Sequence, residues 1–373
     1  MLTLFAGLKG LLKQRTVCTD GPIFRLHSRW TVLILLSGSL LLTCRQLLGE
    51  PIHCIQRDVS RIKAVENFCW IHATFILPHA WNSSVGIQVP HPGIDTYKPG
   101  QNKVYHGYYQ WVAFVLLLQG IFFYLPRYLW KTWEKGLMKA LSLNLHDPML
   151  PSAEKEKSYK LLVQALHSHW GHFEGYLKKY IFCELLSFIN VIGQMWLLDI
   201  FLGNIFTTFG IKVVQWTEWD QEYRTDPLVK AFPRMTKCQF HDFGSSGDIQ
   251  RVDALCLLPL NILNEKIFVF LWFWMVFICC LTLLVLVYRL MLSAMPMLRY
   301  SILVIRAPQA SKGALDRLIG PSKLSDWFVL YLLSKNIEAS HYRTVIAKLA
   351  AALEQNGYIP KPSSSRNENV TYV

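Results

Sequence analysis

Cysteine is the residue type here with the most chemistry to offer. Nine are present among 373 residues, and four of them fall in two polar stretches: Cys54 and Cys69 in one, Cys238 and Cys256 in the other. Two pairs of thiols can close two disulfides, provided the compartment is oxidising. Zinc is the competing use, but 14 and 17 residues separate the members of each pair, unlike the short spacings of structural zinc sites. The four therefore read as two disulfides, with three connectivities open. His167, His169 and His172 match no zinc pattern, and Glu174 is the only carboxylate close by. Titration near pH 6.5 makes acid sensitivity their more informative role. No metal is expected. Nor is an enzyme or a cofactor: there is no nucleophile elbow, and Glu184 and Asp199 stand 15 residues apart, about 22 Å along a helix.

Whether the four thiols meet an oxidising environment depends on the elements between them. Hydrophobic residues make up 52% of the chain and charged residues only 17%, too few for the surface of an ordinary soluble protein. The charges vanish in four places. Trp30 to Cys44 is uncharged, as are Val104 to Pro126 and Ile267 to Tyr288, and Phe182 to Leu202 carries only Glu184 and Asp199. Each suits a membrane helix of roughly 20 apolar residues, with Arg45 able to snorkel from the end of the first. No small-residue cleavage pattern follows the first run, so the N-terminus is expected to be retained.

Four spans put both termini on one side. Residues 1–29, 127–181 and 289–373 hold 25 Lys and Arg at net +14, whereas 45–107 and 203–266 hold 13 at net +1. The basic side faces the cytoplasm. The formal charge of +13 thus records orientation, and no nucleic-acid partner is implied. The expected division is a cytoplasmic N-terminal segment (1–29), spans at 30–48, 108–128, 182–202 and 267–288, outer loops at 49–107 and 203–266, a cytoplasmic loop (129–181) and a cytoplasmic C-terminal domain and tail (289–373). This places Cys54, Cys69, Cys238 and Cys256 outside, where disulfides form, and makes Asn82-Ser83-Ser84 a usable glycosylation sequon at Asn82.

The fold class is therefore an all-α membrane bundle of four helices, with a small disulfide-stapled mixed α/β outer domain and a helical cytoplasmic domain. Strand-like or turn-like pieces in the outer loops are Gly86 to Pro90, Ile211 to Trp216, and the turn Gly244 to Gly247. Glu184, Ser187, Asn190 and Gln194 share one face of the third span. They read as hydrogen-bonding groups within the bundle, with a pore surface as the alternative. Pro126 reads as the exit of the second span, with a gate hinge as its alternative. Trp327 to Leu333 and Ser340 to Glu354 read as amphipathic helices, the latter with Ser340 as N-cap and Gly357 as stop. Residues 361–373 read as disordered. Thr371-Tyr372-Val373 fits the ending that adds as a strand to PDZ domains.

Tyr108-Tyr109-Gln110-Trp111-Val112, at the start of the second span, resembles the signature of the innexins, invertebrate gap-junction proteins related to pannexins. The resemblance covers nearly the whole chain. It runs through Phe68-Cys69-Trp70-Ile71, Phe123 to Arg127, Cys183 to Leu186, Asn190 to Gln194, Phe232 to Cys238 and Leu258 to Lys266. Two cysteines per outer loop suit this family better than the connexins, which carry three. The resemblance implies a gap-junction channel subunit: a ring of homo- or hetero-oligomeric subunits that docks with an apposed hemichannel and passes ions and small metabolites. It also implies the pairs Cys54–Cys256 and Cys69–Cys238. Further, it implies a pore wall at the N-terminal segment, including Met1, Leu2 and Thr3, the first span, and the start of the first outer loop. There Arg57, Asp58, Arg61 and Lys63 would set the vestibule's field, with an ordinary solvated face as the alternative. An undocked hemichannel, or a four-span adhesion or scaffold protein, is the alternative.

Overall fold

The computed structural model describes residues 17–56, 61–142, 145, 151–217, 227–306, 312–320 and 322–355. In chain order these form α1 (Pro22–Leu48), β1 (His53–Ile55), α2 (Ile62–His72), β2 (Thr74–Ile76), β3 (Val104–His106), α3 (Val112–Glu134), α4 (Leu137–Ser142), α5 (Ser152–Ser168) and α6 (Glu174–Phe201). There follow α7 (Phe206–Thr217), α8 (Pro227–Ala231), β4 (Met235–Phe243), β5 (Ile249–Leu257), α9 (Pro259–Ala294), α10 (Pro296–Arg306), α11 (Lys312–Ile319), α12 (Leu324–Leu333) and α13 (Ala339–Gln355).

Helices α1, α3, α6 and α9 are long and apolar enough to cross a membrane. A helix suits that setting because every backbone N–H and C=O is satisfied within the segment. The 36 residues of α9 extend about 54 Å, well beyond a hydrocarbon core of about 30 Å. Its ends therefore work outside the bilayer. Helix α3 runs through Pro126 to Glu134, so this proline lies inside a helix and does not mark its end. A proline within a spanning helix is tolerated where neighbouring groups satisfy the freed carbonyl.

The chain divides into two compact units. One comprises the described residues up to Arg25, then Leu125–Ser187 and Leu281 onward. Its core gathers Trp130, Tyr180, Trp327, Phe328, Tyr342 and Leu349, all buried. Helix α12 buries residues on every side, among them Asp326, Trp327, Phe328, Val329 and Leu330. That differs from the amphipathic helix expected there; a helix that is apolar all round has no face for water and goes to the core. Buried Asp326 accepts the Gly171 N–H at 3.0 Å, and burial pushes its carboxyl up from the usual range. Helix α13 does bury one face, Val345, Leu349 and Leu353, and packs on α5 through Tyr159 Oη and His341 Nδ1 at 2.7 Å. Its cap is Glu338, whose carboxylate accepts the N–H groups of Ser340 at 2.9 Å and His341 at 3.3 Å. Ser340 instead lies in the first turn. A carboxylate serves there because it meets the positive end of the helix dipole. Gly357 and residues 361–373 lie outside the described residues.

The other unit comprises Leu26–Tyr124 and Phe188–Cys280. Its polar end is a five-stranded antiparallel sheet ordered β1-β5-β4-β2-β3, so the β4–β5 hairpin of the second outer loop lies between β1 and β2 of the first. Strands β4 and β5 form a hairpin from Met235↔Leu257 to Phe243↔Ile249, and Gly247 takes a positive φ in its turn. Gly86 to Pro90 is a turn closed by a Val85–Val89 bridge. Ile211 to Trp216 is helical, within α7, and not strand-like. Phe206 and Phe209, three residues apart, are both buried, and a β-strand would send residues at that spacing to opposite faces.

Candidate functional site

In the outer unit, Cys54 is bonded to Cys256 and Cys69 to Cys238. Each bridge joins one loop to the other. Cys54 lies on β1 directly opposite Cys256 on β5, whereas Cys69 reaches β4 from the inner face of α2. The sulfurs of Cys54, Cys69 and Cys256 lie within 4.8 Å of one another, so the bridges stack at the centre of a small core with Ile52, Val65, Tyr109 and Leu258. The bonded sulfurs offer no thiolate for a metal. The core is small for its loop length, and removing one such cross-link from a small domain costs about 2–5 kcal/mol.

The Tyr108–Val112 segment serves this core. Tyr109 Oη donates to the Cys69 carbonyl at 3.2 Å, its ring lies tilted against Trp70 at 4.7 Å, and Gln110 Nε2 donates to the Trp70 carbonyl. Tyr108 Oη donates to the Ala231 carbonyl at 3.0 Å and its ring meets Phe232 edge-on. Val112 is buried and Trp111 is 60% exposed. These residues thus seat α2 and the α8 turn on the start of the second spanning helix. They position the outer sheet; their spacing alone carried no hint of that role.

At the foot of α9, Glu265 is fully buried and accepts from Arg234 Nη2 at 2.8 Å and Nε at 3.2 Å. Lys266 Nζ lies 2.8 Å from its other oxygen. Asn261 Nδ2 donates to the Pro233 carbonyl at 2.8 Å. The loop carrying Arg234 and the β4 strand that follows it are so fixed to the helix.

The sheet's exposed side carries charge. Arg61 pairs with Asp242 on β4, and Lys63 is exposed. Lys237 is held between Asp253, at 3.1 Å, and the Asp95 carbonyl, at 2.8 Å. The Thr96 N–H and then His79 hold the Asp95 carboxyl below its usual range. Burial lowers His106 to about 4 and lowers His91, aided by the Arg234 charge. Arg57, Asp58, Met1, Leu2 and Thr3 lie outside the described residues, as do Thr371, Tyr372 and Val373. Asn82 ends a short 3-10 turn, Pro78–Asn82.

In the other unit the root of the N-terminal segment is pinned. Cys18 and Asn336 exchange two hydrogen bonds, Cys18 N–H to Oδ1 at 2.5 Å and Nδ2 to the Cys18 carbonyl at 2.9 Å. Asp20 pairs with Arg127 at 3.2 Å, the side chains 4% and 2% exposed. The Gly21 N–H donates to Tyr180 Oη at 3.0 Å. Glu184 and Arg289 form a bidentate pair, Nε–Oε2 and Nη2–Oε1 each at 3.0 Å, with the guanidinium 5.3 Å from the rings of both Tyr180 and Phe328. Of the polar stripe on α6, Glu184 reaches Arg289 on another helix. Ser187 donates to the Cys183 carbonyl and Gln194 to Asn190, both within α6. The Asp20–Arg127 and Glu184–Arg289 pairs were missed from sequence. The second had a signal: topology places both residues near cytoplasmic ends of spans.

His169 Nδ1 lies 3.1 Å from the Ala165 carbonyl and His172 Nδ1 3.0 Å from the Trp170 carbonyl, local contacts within one turn.

A family model described as Innexin matches residues 20–353. "Innexin inx2" of Schistocerca americana is 45% identical over 357 residues, covering 95% of this chain and 99% of the relative. "Innexin shaking-B" of Drosophila melanogaster is 43% identical over 357 residues, covering 95% and 96%. "Innexin inx2" of Drosophila melanogaster is 41% identical, covering 94% and 95%.

Proposed function

The chain belongs to the innexin family and is a gap-junction channel subunit of the plasma membrane, with both termini cytoplasmic, and from that premise we propose how its parts divide the work. It oligomerises with innexin subunits and meets an apposed hemichannel. The observation that carries the division is the outer sheet. Two loops separated by two spans are woven into one body and cross-linked twice, giving each subunit a rigid face toward the apposed cell.

The spans are 30–48, 108–128, 182–202 and 267–288, with outer loops at 49–107 and 203–266. Met1, Leu2 and Thr3 line the pore from the cytoplasmic side, and Arg57, Asp58, Arg61 and Lys63 line its outer vestibule. With three cations and one anion among those four residues, the vestibule favours anions or passes cations less readily. Pairing with Asp242 reduces the share of Arg61 in that field. Support for a pore mouth at the N-terminus comes from its root, which Asp20, Gly21 and Cys18 hold in a defined place. Asn82 carries glycan, and Thr371-Tyr372-Val373 adds as a strand to a PDZ domain; pull-down with and without that triplet tests the latter.

Current and small-dye transfer between paired expressing cells test the whole reading. Transfer is expected, and cell adhesion without transfer would leave the adhesion or scaffold alternative. Single-cell current without junctional current would leave the undocked hemichannel.

A further inference from the structure

Helix α10 begins two residues after α9 ends. Pro296 opens it, as proline can at the first helical position. Arg299 fixes the corner between the two helices: its Nε donates to the Leu292 carbonyl at 2.7 Å and its Nη2 to the Ser293 carbonyl at 2.8 Å. These are among the carbonyls that the last turn of α9 leaves without an intrahelical donor. The inward side of α10 is accounted for. Leu303 is buried, and Tyr300, Ile302 and Val304 pack on the same core.

The outward side is not polar, as a water-facing helix would be. Met297, Ser301 and Ile305 stand four residues apart on one stripe, and Met297 is 81% and Ile305 77% exposed. Along the chain the exposed apolar residues Met295, Met291 and Leu290 lead back from it to Leu284, 63% exposed within the span of α9. That surface belongs to a spanning helix and meets lipid. Arg306, exposed at the end of α10, is the type of residue that reaches headgroup phosphates.

We propose that α10 is an interfacial helix that seats Met297 and Ile305 in the cytoplasmic leaflet, with phospholipid acyl chain as the ligand of its outer stripe and Arg306 at the phosphate level. The inference rests on α9 spanning the membrane, and not on the channel reading. A lipid-bound α10 joins the bilayer directly to the cytoplasmic core, because one side of the helix lies in each.

The test uses the full, unsubstituted chain reconstituted in phosphatidylcholine vesicles that carry a diazirine on the acyl chain. After illumination, the labelled residues are mapped by mass spectrometry. Adducts at Met297 and Ile305 are expected alongside those at Leu284. Labelling that stops at Ala294 while Leu284 is labelled would overturn the proposal, since water or a second copy of the chain would then cover the stripe. Absence of label at Leu284 as well would overturn it through its premise, the spanning α9. In a second arm, benzoylphenylalanine replaces Met297 or Ile305 in cells; a chain-to-chain adduct in place of a lipid adduct would assign the stripe to a neighbouring subunit and sink the lipid reading.

Discussion

Glu184 and Arg289 lie on different helices, each charge taken out of water and each held by the other through two parallel hydrogen bonds. Breaking such a pair leaves a buried ion opposite a neutral group and costs about 3–5 kcal/mol. Glu184→Gln should therefore lower the thermal midpoint of the detergent-solubilised protein markedly. Arg289→Lys, which keeps the charge and loses the fork, should lower it less; equal midpoints for Glu184→Gln and the native chain would refute the role. His106 sets a pH dependence in the outer sheet. Its folded value of about 4 lies below the ordinary 6.5, so the unfolded chain binds the proton first. The sheet is fully stabilised above about pH 6.5 and loses stability as pH falls toward 4, by on the order of 3 kcal/mol. His91 acts in the same direction. Hydrogen exchange of β2 and β3 between pH 7 and 5 should show the loosening, and His106→Gln should flatten it. At this scale the sequence was half legible. The four outer cysteines announced themselves because their chemistry is rare and their number even. Asp20 and Arg127 did not, because an ion pair joining residues over 100 positions apart has no local pattern.

The long helices follow from one physical requirement, since lipid offers the backbone no partner, and that requirement writes itself into sequence as missing charge. Short elements obey packing instead. Ile211 to Trp216 is β-rich in composition, yet α7 forms because Phe206 and Phe209 must share a buried side. Gly210 marks how close that packing comes: a Cβ there would run into the Trp272 ring, and Trp272 Nε1 already donates to the Thr207 carbonyl. Gly210→Ala should force Trp272 aside at a cost of about 1–3 kcal/mol. Reduced surface expression, with a shift in tryptophan emission, is the expected signature; an unchanged spectrum would show that the ring has room. Helix α12 misled in the opposite direction, since its seven-residue apolar run is too short to span and the partners that bury it come from distant segments.

Over the whole molecule, charge and cysteine patterns agree. The excess of Lys and Arg marks the cytoplasmic side, and the bridged cysteines occupy the other. Which cysteine binds which could not be read from spacing, because three pairings satisfy it equally; the fold distinguishes them by setting Cys54 on β1 opposite Cys256 on β5 and bonding Cys69 on α2 to Cys238 on β4. Cys69→Ser should leave the chain in the membrane and abolish junctional current in paired cells, with Cys238→Ser the same. The double variant should be no worse than either single one, because the two remove one bond. Retained coupling in Cys69→Ser would show that the Cys54–Cys256 bridge suffices. The bridges also impose a schedule on synthesis. Their partners are 202 and 169 residues apart, an interval of about 10–40 s at 5–20 residues per second. Throughout that interval the first loop waits in the secretory lumen with two reduced thiols 15 residues apart, free to pair with each other or to be held by an oxidoreductase. Maturation of this protein is thus set by how long its first loop can be kept from closing on itself.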